Sequence, residues 1–409
     1  MSIPGKNSAL ATTSFTKTSA VWLFTTGFTW LIIELLSLAG LFVLAEFKNV
    51  NFEPFNLQEH QLTVLTSIVE RRSQYIEFDS DLGWSIKPGG QGEIYTANQA
   101  GLRGDQEYTI NPTEGVTRVA TFGDSFVHGD DVANYQTWQH HLEKRLPKLE
   151  VLNYGVGGYG VDQALLRYRK RGSEYNPGIV LIGFQTENLS RHVNRFRPFY
   201  FRQTGLPFAK PRFKMAGDRL TLIPTGLSQA EDYQLLFDNS RQFLDLLGES
   251  DYYYASIYYP GPFDFLPSVR VAKLLYTVLA VVTRVPNYID SVYNPDGEAF
   301  IVSRSVIDVF YEDVIANGAR PILLLFPNIN DIRVFSYKGI VTYQPLLDHI
   351  RNRGYEVIDL LPMFAEQIKH TDVGDLIPGH YTGLGNDLVA KEIADYLSCH
   401  QKTDECLGG

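Results

Sequence analysis

An α/β fold built around a central, mostly parallel five-stranded sheet is what this sequence predicts, and three observations predict it. Short apolar runs of about six residues alternate with amphipathic helical stretches, which is the pattern of βαβ units. Glycine-rich or Gly-Asp turns close the first apolar runs, and the same alternation resumes after a long interval. The composition, 44% hydrophobic and 20% charged residues over 409 positions, suits a globular chain with a sizeable core and argues against disorder.

Taken in order, "TRVATF" is a short apolar run ending in Gly-Asp-Ser, "TWQHHLEKRL" is helical and "EVLNYGV" is apolar again. Then come the helical "VDQALLRYRKRG" and a third apolar run, "GIVLIGF". After the interval the order is helix "SVIDVFYEDVIANGA", strand "RPILLLFP", helix "YQPLLDHIRNRG", strand "YEVIDLL" and a closing helix "GNDLVAKEIADYL". Five strands are expected near residues 118, 151, 180, 322 and 356. Residues 48–115 show weak periodicity and many turn dipeptides, and are expected to form an extended arm packed on the domain. The interval 190–300 is too long for a crossover and reads as an insertion covering the crevice, a lid region.

From Val21 to Phe47 the only charges are Glu34 and Glu46. About 20 apolar residues suffice to cross a bilayer, so a single transmembrane anchor over 21–47 is expected rather than a cleaved signal. Lys6 and Lys17 precede the run, while Lys48 follows it among Glu46, Glu53 and Glu59, so the positive-inside bias puts residues 1–20 in the cytoplasm and the bulk of the chain outside it. Glu34 near mid-span reads either as a contact for a membrane protein partner or as a protonated carboxyl on a lone helix. A net charge of -10 without clustered Lys and Arg excludes nonspecific nucleic-acid binding. Cys399 and Cys406 lie in the tail 399–409 with no metal-like spacing; they are either paired or free, and neither a metal nor a cofactor is expected.

Active sites of open parallel sheets lie outside the carboxyl ends of the strands, where Ser125, Gly158, Asn188 and the loop holding His380 are expected. Ser125 in "TFGDSFVHGDD" reads as a nucleophile whose own N–H faces an oxyanion, or as the cap of the next helix. "NYGVGGYG" offers a closely approachable backbone N–H at Gly158, "FQTENLSR" offers the Asn188 amide, and "DLIPGHYTGLGN" offers His380 as a general base. "RHVNRFRPFYF" gathers Arg191, Arg195, Arg197 and aromatic rings. It reads as a platform for an anionic or carbohydrate ligand, with Arg191 and Arg197 as binding residues, or as a buried linker pairing Arg with carbonyls and carboxylates. The apolar "LLYTVLAVV" is too short to span, leaving the membrane interface, the underside of a lid or plain packing.

These four blocks, in this order, resemble those of the SGNH (GDSL-like) hydrolase superfamily over residues 116–398. The resemblance implies a flavodoxin-like three-layer α/β/α sandwich, with Ser125 as nucleophile, the Ser125 N–H, Gly158 N–H and Asn188 amide as oxyanion hole, and His380 as base. The usual last block is Asp-x-x-His, but position 377 is Ile. The nearest upstream carboxylate is Asp375, five residues before His380, so the third member of the triad is Asp375 or a backbone carbonyl in its place. The plan of a span, "DLGWSIKPG", "NQAGLRGD" and the serine block looks like that of membrane-anchored bacterial SGNH proteins of surface-polysaccharide modification. This implies a serine esterase or deacylase on a saccharide or small acyl ester, at the extracytoplasmic face of the cell membrane. Two alternatives stay open, an O-acyltransferase with the same residues and a non-catalytic SGNH-fold subunit of a membrane complex. Arg103, in "GLRGD", is either near the site or in a surface turn.

Overall fold

The structure, a computed structural model, describes residues 9–48, 55–257 and 261–399. The expected tail containing Cys406 and the first eight residues of the expected cytoplasmic tail lie outside them. The chain divides into two units, one of Met1–Asn56 with Ala255–Arg284, the other of Leu57–Tyr254 with Val285–Gly409. The stretch 190–300, read as a single insertion, is therefore split between them.

The larger unit carries the sheet. Its arm begins with a helix, Glu59–Val69, and an antiparallel hairpin of β1 (Ile76–Asp79) and β2 (Gly83–Ile86). The alternating region follows as β3 (Thr117–Phe122), α1 (Trp138–Arg145), β4 (Leu149–Asn153), α2 (Val161–Arg171) and β5 (Ile179–Gln185). After the insertion come α3 (Glu298–Ala316), β6 (Arg320–Phe326), α4 (Gln344–Arg353), β7 (Val357–Asp359) and α5 (Gly383–Cys399). Cys399 at its end is disulfide-bonded.

All five central strands are parallel, in the order β7-β6-β5-β3-β4, with Val119 opposite both Val151 and Ile179, and Ile182 opposite Leu323. Strands covered on both faces need continuous apolar runs, and Val180–Ile182 and Ile322–Phe326 are fully buried. The chain steps one way from β3 to β4 and the other way from β4 to β5 and onward. Because crossovers are right-handed, α1 lies on one face and α2, α3 and α4 on the other. In agreement, α1 packs against α5 and α2 against α3. The reversal falls at β3, so the crevice of this sheet opens beside the β3 carboxyl end, where Ser125 sits.

The smaller unit consists of the long helix Ala9–Lys48 packed on the helix Pro267–Val282. Its stretch Ser19–Glu46 is long and apolar enough to cross a membrane. Glu34 is 8% exposed. Its carboxylate accepts the Ser268 backbone N–H at 2.9 Å and the Ser268 Oγ–H at 2.6 Å. In this unit Glu34 is thus bonded within the chain.

Candidate active site

β3 ends at Phe122, and Gly123-Asp124 turn the chain into a single helical turn, Ser125–His128. Both readings of the motif hold, divided between two residues. Asp124 is the cap, its carboxylate accepting the Phe126 N–H at 2.9 Å, while Ser125 stands at the first helical position with its side chain in the crevice. Asp124 is fully buried; burial raises its carboxyl above the usual range, opposed by Arg191, the Phe126 N–H, His380 and the Asn188 amide. Among the described residues, the Ser125 Oγ and the N–H groups of Ser125 and Gly158 donate to no protein acceptor.

Gly129, at φ +81°, ends the turn after one repeat and its N–H returns to the Ser125 carbonyl at 2.8 Å. A left-handed residue here folds the chain back, so the following "DD" comes beside the serine. Asp131 Oδ2 lies 2.8 Å from Nδ1 of His380. The carboxylate facing the imidazole is therefore Asp131 and not Asp375. Asp375 is exposed in the short helix Val373–Leu376, and its backbone carbonyl accepts the Thr382 hydroxyl. The His380 ring packs on Phe126, the residue next to the serine, with 5.2 Å between centroids. With Nδ1 donating to Asp131, Nε2 is left as the basic nitrogen, the tautomer a general base requires.

Asp130 faces the other way, towards a second histidine. Nδ1 of the buried His128 lies 2.6 Å from Asp130 Oδ1, off the line of a good hydrogen bond, and its Nε2 lies 2.6 Å from the Tyr75 hydroxyl. Burial would raise the Asp130 carboxyl, but the close His128 ring, His380 and Arg103 together hold it below the ordinary range. Burial lowers His128, and Asp130 opposes the shift. The site thus presents two aspartates, Asp130 ionised beside the cavity and Asp131 on the imidazole.

Arg103 reaches this turn from the arm. Its guanidinium donates to the carbonyls of Val132 at 2.8 Å and Gly129 at 3.4 Å and to Asn134 Oδ1, with the Tyr95 ring stacked 4.6 Å away. A planar fork with several donors is suited to holding a loop by its carbonyls. Arg103 therefore anchors the loop that carries Asp130 and Asp131.

Gly158 follows β4 at φ +81°, and a Cβ there would meet Leu206 at 2.8 Å and the Arg197 guanidinium at 3.1 Å. Only glycine fits both the backbone and the space. Trp84 of β2 donates from Nε1 to the Gly157 carbonyl at 3.0 Å, and the Tyr159 hydroxyl returns to the Trp84 carbonyl. The arm thus walls the glycine loop. Asn188 begins the turn after β5 and donates from Nδ2 to Asp124 at 3.2 Å, which leaves its second amide hydrogen for another acceptor.

Of the three arginines after Asn188, Arg195 fits the buried-linker reading, donating to the carbonyls of Leu246, Pro224 and Thr225. Arg191 binds Asp124, Glu187 and the Tyr159 carbonyl. Arg197 donates to the Gly158 carbonyl at 2.8 Å. Ser125, Gly158, His380, Arg191 and Arg197 line one cavity of about 440 Å³, with Phe201 and Leu206 as apolar wall and Gln185, Glu187 and Asn328 as polar wall. Asn188 and Asp375 are not among its lining residues. No cluster of His, Cys, Asp and Glu fit to hold a metal occurs among the described residues.

No family model and no curated protein matches this chain. Solved structures do show likeness. A member of the lipolytic protein G-D-S-L family from Veillonella parvula DSM 2008 is 11% identical, covering 69% of this chain and 99% of that one at a TM-score of 0.33. The lipase/acylhydrolase from Enterococcus faecalis is 11% identical, covering 70% and 97% at 0.34. A two-domain esterase active on acetylated mannans is also 11% identical, covering 71% and 51% at 0.34.

Proposed function

We propose that this chain is a membrane-anchored SGNH-type serine esterase that removes an acyl group from a saccharide or similar small ester at the extracytoplasmic face of a bacterial membrane. The observation that carries the reading is one cavity lined by Ser125, Gly158 and His380, with Asp131 on the far nitrogen of His380. A cavity of about 440 Å³ is in the range of small-molecule sites.

In this reading His380 Nε2 takes the Ser125 hydroxyl proton as Oγ bonds to the ester carbonyl carbon. Asp131 stabilises the imidazolium so formed. The negative charge on the carbonyl oxygen is met by the N–H groups of Ser125 and Gly158. Collapse of the tetrahedral species breaks the bond to the alcohol, which leaves with the proton from His380. Water then attacks the acyl-serine with His380 again as base, releasing the acid and restoring Ser125. Arg191 and Asn188 act from behind, by fixing Asp124 and hence the turn on which Ser125 stands.

The extracytoplasmic placement is supported by the apolar helix Ser19–Glu46 and by lysines before it. The test is covalent labelling of the full chain with a fluorophosphonate. Ser125 is expected to carry the label, and Ser125→Ala to abolish it. Absence of label on folded wild-type protein refutes the proposal.

A further inference from the structure

The helix Pro267–Val282 and the residues before it play no part in the cavity just described. Its 16 residues rise about 24 Å, short of the roughly 30 Å hydrocarbon core, so it does not cross a bilayer. Its flanks, before residue 255 and after 284, belong to a single folded unit, which also rules out a crossing. Yet it is dressed for lipid. Leu274 is buried, while Leu275 (63%), Tyr276 (72%) and Leu279 (60%) are exposed, as are Phe263 and Phe265 on the turn before the helix. The segment packs on the helix that, among the described residues, is long and apolar enough to span, and whose own side chains over Val21–Val43 are mostly exposed.

The start of a helix presents unpaired N–H groups, which hydrocarbon does not tolerate. Here Glu34, near the middle of the apolar stretch, accepts the Ser268 N–H and hydroxyl at that start, where the helix dipole also favours negative charge. Lys273 is paired with Asp264 at 2.6 Å. Glu34 with Ser268 and Lys273 with Asp264 thus satisfy one another, while Leu275, Tyr276 and Leu279 face outward.

We propose that residues 261–283 form a re-entrant membrane segment, dipping into the outer leaflet beside the span and pinned there by Glu34, with lipid acyl chains as the occupant of its apolar face. This rests on the membrane-anchor reading above. It also assigns Glu34 an internal role in place of a contact with a partner protein.

The test uses the full chain with Cys399→Ser and Cys406→Ser, carrying one added cysteine labelled with an environment-sensitive fluorophore. It is reconstituted into phosphatidylcholine–phosphatidylglycerol vesicles with or without brominated acyl chains. Label at Tyr276→Cys is expected to lose at least about half its fluorescence to the brominated lipid, as label at Phe28→Cys in the span does, while Tyr337→Cys on the α/β unit keeps its signal. Adding Glu34→Ala is expected to relieve quenching at 276 and leave it at 28. Quenching at 28 without quenching at 276 overturns the proposal and spares the anchor. Absence of quenching at 28 overturns the anchor and the proposal with it. Unchanged quenching at 276 in Glu34→Ala overturns the pinning role of Glu34.

Discussion

Replacing Asp131 by Asn tests which carboxylate serves His380. The Asp131 oxygen is 2.8 Å from Nδ1, which puts the charge centres about 4 Å apart once the imidazole is protonated. At that distance the attraction is about 1 kcal/mol in water and about 4 kcal/mol in a protein-surface dielectric. The Asp131 side chain is 56% exposed and that of His380 28%, so the lower part of the range applies, about 1–3 kcal/mol. The expected loss is about 5- to 150-fold in kcat/KM, well below the roughly 10⁴-fold of a buried triad aspartate. Asp130, ionised beside His128, keeps some negative potential near the ring and also argues for a moderate loss. Asn can offer its amide hydrogens to Nδ1 and impose the wrong tautomer, so Asp131→Ala is expected to be no worse than Asp131→Asn. The assay is steady-state hydrolysis of p-nitrophenyl acetate, with burst amplitude counting active sites. Asp375→Asn is expected to stay within about twofold, because its exposed carboxylate does not meet the imidazole. A tenfold fall in Asp375→Asn with Asp131→Asn near wild type would refute the assignment.

The remaining predictions concern the scaffold around the pair. Gly158→Ala is expected to lower kcat about 10²- to 10³-fold, since an alanine is strained at φ +81° and shifts the N–H that faces the cavity; KM and the unfolding midpoint, measured alongside, should move far less. Arg103→Lys keeps the charge but loses the fork on Gly129, Val132 and Asn134, and is expected to cost about tenfold in kcat together with about 1–3 kcal/mol in denaturant unfolding. His192 is fully buried, its Nε2 accepting the Val161 N–H and its Nδ1 2.5 Å from Ser303 Oγ, and burial lowers it from 6.5 to about 4. A lowered pKa means the unfolded chain takes up the proton first, so stability is complete above about pH 6.5 and falls as pH drops towards about 4, by about 3 kcal/mol at about 1.4 kcal/mol per pH unit. Urea titrations from pH 7 to 4 should show this slope flattened in His192→Gln, and an equal slope in both proteins would count against it.

The sheet was legible because parallel strands buried on both faces must be continuously apolar, and a run such as "RPILLLFP" admits few other readings. Ser125, Gly158 and His380 followed from that, since strand ends of such a sheet converge on one crevice. Asp131 did not follow. It lies six residues after the serine but 249 from His380, and only the left-handed turn at Gly129 brings it back to the imidazole. Expecting the orienting acid near the histidine in sequence pointed to Asp375. Its signal was present in the second half of "HGDD", where a glycine precedes two adjacent acids. The Glu34 bond escaped for the same reason, since a serine 234 residues away leaves no local trace, and for Arg195 the pattern left the ligand platform and the buried linker equally open.

The hold of Trp84 on the Gly157 carbonyl has a consequence for where the folded unit around the cavity begins. The regular alternation of strands and helices in the sequence starts at residue 116, and a minimal domain would naturally be cut there. Such a piece would keep the serine, the histidine and the acid, yet its glycine loop would lose the tryptophan behind it and its acidic loop would lose Arg103. The arm therefore braces the pocket from behind, and the smallest active fragment is expected to start upstream of β1 rather than at the first strand of the sheet.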